Sequence, residues 1–300
     1  MKWISILTVA MSGLAATAYG QSLESQLATA RQAAEPYMNI DTARRDGWRP
    51  FGGDEPLMGQ HWHQRGGVDY ASGAPIDPRR PSNLLYTDLG GQMQLVALSY
   101  NVRIAPGEPV PEGFVGSSDE WHVHDVAAFI AAAGADRPLL RGLAQGWLDR
   151  EIAQRDGKTR LAMVHLWLIP NPDGVFASHN RTLAYLDLGL PAAWANGAPM
   201  ASARGLALAG PNGCDEALEG RLWVANVDRS TARRLMQGCE QMADFVQEGL
   251  PGDMATTNAR AASAWMSFDR FLQDTLTADQ KRRIAAIAEH GMDHGAAEHH

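Results

Sequence analysis

Cysteine is almost missing from this chain: Cys214 and Cys239 are the only two in 300 residues. Their spacing fits no zinc knuckle, no CxxC redox pair and no haem-attachment motif, so thiolate metal chemistry is excluded. Long apolar runs are equally scarce. The one at the N-terminus has Lys2, an apolar stretch from Trp3 to Leu14 and the small-x-small Ala18-Tyr19-Gly20, which reads as a secretory signal over residues 1–20. No later segment approaches the ~18 uninterrupted apolar residues of a spanning helix, so no stable membrane span is expected after signal cleavage. A surplus of positive charge is also missing. The formal charge is -8, and losing Lys2 with the signal takes it to -9, which excludes a nucleic-acid partner that would demand Lys/Arg patches. Finally, the chain has no G-x-S-x-G elbow, no P-loop, no G-x-G-x-x-G after a strand and no H-E-x-x-H.

What the chain does have is histidine in strand-like spacing. Gln60-His61-Trp62-His63-Gln64 and Trp121-His122-Val123-His124-Asp125 each place two imidazoles two residues apart. On an extended backbone such pairs lie on one face, where their nitrogens can converge on an ion. His165 stands inside the apolar run Met163-Val164-His165-Leu166-Trp167-Leu168, where a buried imidazole requires a hydrogen bond or a ligand. The candidate metal ligands are therefore His61, His63, His122, His124 and His165. Nitrogen donors without thiolate suit zinc, copper, nickel or iron. Ordinary core or surface hydrogen bonding is the competing account of the same histidines. Asp119, Glu120 and Asp125 flank the second pair as ligand, imidazole-orienting group, general base or simple solvated acids. Alternation turns Trp62 and Trp121 to the face opposite their neighbouring histidines.

The coarse texture is α+β. A helix is expected over Gln21–Ala34, and Asp41–Pro56 reads as a loop because Gly47, Pro50, Gly52 and Gly53 interrupt it. Strands are expected at Leu57–Gln64, Leu84–Thr87, Gln92–Arg103, Trp121–Phe129 and Arg160–Ile169, with an inserted helix over Arg137–Arg155. Val175–Pro199 reads as irregular and carries His179. Helices follow at Asp215–Val224, Ser230–Gln247, Thr256–Leu272 and Thr277–Glu289, the last opened by a Thr277/Gln280 capping box. The expected plan is a largely antiparallel sheet domain (cupin-like or an open sheet) over residues 21–205, a helical region over 206–289 and a His-rich tail over 290–300. In an oxidising compartment Cys214 and Cys239 should be bridged.

Two His-x-His pairs over residues 57–170 resemble a cupin-type metal site, with Asp125-Val126-Ala127-Ala128-Phe129 where a cupin carries a glutamate. More of the chain is similar to an uncharacterised family of secreted bacterial proteins. That likeness is carried by Gly59-Gln60-His61-Trp62, Asn83-Leu84-Leu85-Tyr86, Pro111-Glu112-Gly113-Phe114 and Pro172-Asp173-Gly174-Val175-Phe176, together with the segment Asp119–His124. It implies a site at His61, His122, His124 and His165 and names no activity. Leu276-Thr277-Ala278-Asp279-Gln280 resembles the LTxxQ motif of helical periplasmic stress and metal-resistance proteins. Two functions stay open: a periplasmic or secreted metal-binding protein, enzymatic on a small-molecule substrate if a coordination position is open, or a non-catalytic envelope-stress or metal-resistance binder acting through its helices.

Overall fold

The computed structural model describes residues 22–290 apart from 66, 68, 126, 129–136 and 155–156. The expected signal over 1–20 and all of the His-rich tail beyond His290 lie outside those residues. Helices α1 (Leu23–Ala34) and α2 (Ile40–Arg45) lead into β1 (Trp48–Glu55), β2 (Gly59–Gln64), β3 (Asp69–Ala71), β4 (Asn83–Asp88) and β5 (Met93–Ile104). Strand β6 (His122–Asp125), helix α3 (Pro138–Gln154) and strand β7 (Arg160–Trp167) complete the sheet-forming part. The sheet has seven strands in the order β1-β2-β4-β5-β7-β6, antiparallel along that path, with β3 added in parallel to β5. The chain is thus α+β with a helical C-terminal part, as its texture suggested.

Two segments read as irregular are not. Asp41–Pro56 contains part of α2 and all of β1: Asn39 caps the helix through the Asp41 amide, and Trp48 and Pro50 pair with Gln64 and Trp62 as an edge strand. An edge strand tolerates Pro and Gly, which is why punctuation misled there. Val175–Pro199 holds helix α4 (Thr182–Asp187) and a 3-10 turn, Ala192–Ala195. Helix α3 forms where expected, yet its apolar residues do not all face inward: Leu139 is 84% and Leu143 74% exposed.

One face of the sheet packs on α1. Trp62, Leu84, Tyr86, Leu98, Tyr100, Val102, Val164 and Leu166 form that core with Ala30 and Ala34, and Trp121 and Val123 pack against it. Alternation therefore places Trp62 and Trp121 correctly. It fails at one point in β5. Tyr86 pairs with Leu95 while Leu85 pairs with Ala97, so Val96 is a bulge. The extra residue turns Leu95 into the α1 core and Val96 to the other face.

That other face carries a small cluster of Met58, Leu85, Val96, Ala97, Trp167 and Leu183, beside the larger helical core. Helix α5 (Met200–Ala209) spans residue 205 and meets α8 (Met254–Thr275) so closely that a Cβ on Gly205 would lie 2.2 Å from the Ala261 carbonyl oxygen. Between them run a π-turn (Asp215–Glu219), α6 (Gly220–Val224) and α7 (Arg229–Gln247). Helix α7 starts at Asp228, whose carboxylate accepts from the Ser230 and Thr231 amides, and buries Leu235, Cys239, Met242, Ala243 and Val246 on one stripe. Cys214 and Cys239 are bridged, with Cα atoms 5.8 Å apart. The last helix, α9 (Ala278–His290), opens with the expected capping box: Thr277 N donates to Gln280 Oε1 at 3.0 Å and Gln280 N to Thr277 Oγ1 at 3.2 Å. Among the described residues no helix is long and apolar enough to cross a membrane.

Candidate metal centre

The histidines lie on the sheet face away from α1. His61 pairs across β2–β4 with Leu85, His165 across β5–β7 with Ser99, and His122 and His124 across β6–β7 with Met163 and Leu161. Three strand steps separate β2 from β7, about 14 Å on a flat sheet. The ring centroids of His61 and His165 are nonetheless 5.5 Å apart. The sheet must therefore curl, and the short side chains of Ala97 and Ser99 on the intervening β5 leave room for the rings inside the curve. Gly59 (φ +96°) opens β2 in a left-handed conformation where a Cβ would lie 2.8 Å from the Tyr86 carbonyl oxygen. That close approach seats His61 two residues later.

Four of the five proposed ligands come together. His122 lies 4.8 Å from His165 and 5.1 Å from His124, ring centre to ring centre. His165 is 0% and His124 4% exposed. The fifth, His63, is set apart: it is exposed and its ring rests 5.4 Å from that of Phe51, itself at the surface. The His63 row runs through Asn83 and Ser99 to His165, all three buried, so only its β2 end, beside Phe51, reaches the surface.

A further histidine, His179, joins the group from the loop after β7. Its Nδ1 is 3.0 Å from Ser178 Oγ, and its Nε2 is buried without a hydrogen-bond partner among the described residues. The same loop fixes the tautomer of His165. His165 Nδ1 lies 2.9 Å from the Ser178 carbonyl oxygen. A carbonyl only accepts, so Nδ1 carries the proton and Nε2 is the lone-pair nitrogen. The loop is latched to β7 by Trp167, which donates from its backbone amide to Val175 O at 2.9 Å and from Nε1 to Ala177 O at 2.6 Å. The sequence marks this loop only by the turn at Asn171–Gly174, where Gly174 has φ +120°.

Burial disfavours the charged form of His61, His122, His165 and His179. It pushes His61 down to about 3, with His124 adding to the effect, and His179 to about 4, where Arg204 and Arg221 add to it. His122 and His165 are held well below the ordinary histidine value, by burial first and by neighbouring imidazoles second. Neutral imidazole is the ligating form.

The flanking acids face the backbone. Asp119 Oδ2 accepts from Phe114 N at 2.7 Å, Glu120 Oε2 from Ser178 N at 3.4 Å, and Asp125 Oδ1 from Ala128 N at 3.0 Å. Burial raises the Asp119 carboxyl to about 6. A cleft of about 510 Å³ lined by Arg44, Arg49, Pro50, Gln60, Trp62 and Met93 opens on the Trp62 side of β2, the face turned away from His61.

Two imidazoles on one tetrahedral ion, with metal–nitrogen bonds of about 2.0 Å, have ring centres about 5 Å apart. The three measured separations bracket that value. As the side chains stand, no three His, Cys, Asp or Glu groups among the described residues are disposed to hold a metal ion. The ring centres suit a shared ion; the ring orientations, largely edge-to-face, do not yet aim the nitrogens at one point.

Fold and site together define an α+β protein with a cluster of histidines inside a curled antiparallel sheet. Comparison with protein families, with curated proteins and with solved structures gives no match to this chain.

Proposed function

We propose that this is an exported, periplasmic or secreted protein that binds a transition metal ion (zinc, copper, nickel or iron) through His61, His122, His124 and His165. The observation that carries the reading is the convergence of four imidazoles from three strands, neighbouring ring centres lying 4.8 to 5.5 Å apart. Shared ligation requires the rings to turn about their side-chain bonds from the orientations they have here. The tautomer held on His165 by Ser178 supports it, because a ligating histidine characteristically gives its other N–H to a carbonyl or carboxylate. The disulfide and the N-terminal signal pattern support the exported address. Nitrogen-only donors favour borderline ions over calcium or magnesium.

The test is elemental analysis of untagged protein purified without metal-affinity resin. About one equivalent of a first-row ion per chain is expected, and less than a tenth of that in a His122→Ala/His124→Ala double variant. Equal, substoichiometric metal in both proteins would reject the site.

A further inference from the structure

The structure assigns a second binding site, independent of the metal reading, to the cleft beside Trp62. Its ligand is a small organic acid, with the carboxylate on Arg49 and an apolar body against Trp62, Pro50 and Met93. The cleft has a volume of about 510 Å³, and its six lining residues include two arginines and no acid. That volume is in the range of small-molecule sites. It opens on the face of β2 opposite His61, so the two sites share no ligand.

Arg49 is the anchor because of how its guanidinium is held. Its Nη1 donates to the backbone carbonyls of Arg44 and Trp48, each at 2.7 Å, so the end of α2 and the start of β1 fix the plane of the group. These two bonds use both Nη1 hydrogens. Among the described residues the group makes no other hydrogen bond or ion pair, which leaves its Nε–H and Nη2–H edge unused. That edge presents two parallel donors, the fork that a carboxylate accepts in a bidentate pair. A guanidinium already immobilised through its other nitrogen loses little conformational freedom when the carboxylate arrives.

Arg44 has a different part. Its Nη1 lies 3.0 Å from Asp41 Oδ1, which offsets its charge, and its guanidinium is 5.7 Å from the centre of the Trp62 ring. It walls the cleft and is not needed to bind the anion. Trp62 Nε1 donates to Gln60 Oε1 at 3.0 Å, so the polar edge of the indole is satisfied and the ring meets a ligand through carbon. Pro50 and Met93 extend that apolar lining. Apolar contact favours a hydrocarbon body over a bare inorganic anion.

3-Phenylpropionate is the probe, in equilibrium dialysis against full-length mature protein stripped of metal with EDTA, so that no ion can hold the carboxylate. One saturable site per chain is expected, with 3-phenylpropionamide about tenfold weaker. Arg49→Gln should weaken binding about tenfold, and Arg49→Lys nearly as much, since an ammonium keeps the charge but lacks the fork. Arg229→Gln, remote on α7, should leave it alone. No saturation up to about 10 mM, equal binding of acid and amide, or unchanged binding in both Arg49 variants would overturn the assignment. Acetate or phosphate binding as tightly as 3-phenylpropionate would overturn its apolar half. None of these outcomes bears on the histidine cluster.

Discussion

At the scale of single residues, neighbours on one strand have different fates. Val123 lies between two candidate ligands but packs towards the α1 core, so Val123→Ile should keep the metal stoichiometry of the wild type. His63→Ala should keep it too, since His63 stands at the surface beside Phe51; a drop to half or less in elemental analysis would return His63 to the site. Gly205→Ala should lower stability by about 1–3 kcal/mol in urea unfolding, because its Cβ would collide with backbone that cannot swing aside. The sequence made His61, His122, His124 and His165 legible through period-two spacing and a polar residue in an apolar strand. It put His63 beside His61 because spacing reports only the face. Depth along a row is set by neighbours from other strands: His63 shares its row with Asn83, Ser99 and the buried His165, yet it alone stands at the surface. His179 was hidden for a related reason: its place is set by latches to Trp167 and Ser178, which no local pattern announces.

At the scale of elements, the helical half follows the sequence where caps and stripes are strong. Asp228, Asp253 and the Thr277/Gln280 pair each open a helix as their side chains dictate. The chain was misjudged where tertiary contacts override punctuation, as in β1 with its Pro50 and in α4. The bridge between Cys214 and Cys239 ties the π-turn to α7 across 25 residues. By loop-closure reasoning, Cys214→Ser/Cys239→Ser should cost on the order of 3 kcal/mol. Thiol titration of the denatured, unreduced protein should find none, and two reactive thiols would refute the bridge.

At the scale of the whole molecule, the buried imidazoles set a pH dependence. An unfolded histidine takes a proton near its ordinary value of about 6.5, whereas His61 in the folded state does so only near 3 and His179 near 4. Between those values the unfolded state binds more protons, so stability is present above about pH 6.5 and is lost as pH falls towards 4. Urea midpoints of the metal-free protein should fall over that window, and His61→Gln should make the fall shallower. A midpoint flat from pH 7 to 4.5 would contradict neutral, buried histidines. The curled sheet has a consequence in time as well. His61 and His165 are 104 positions apart in sequence (165 minus 61) and meet only after β2, β4, β5 and β7 have paired. Of the four, only His122 and His124 are close together in the extended chain, and two imidazoles make a weak chelate. Such long-range pairing is the slow part of folding. If the proposed site takes an ion after export, that ion can therefore neither nucleate this fold nor be trapped by the chain while it is still threading through a membrane: loading would wait for a finished sheet, and the element acquired would be decided by what the destination compartment holds.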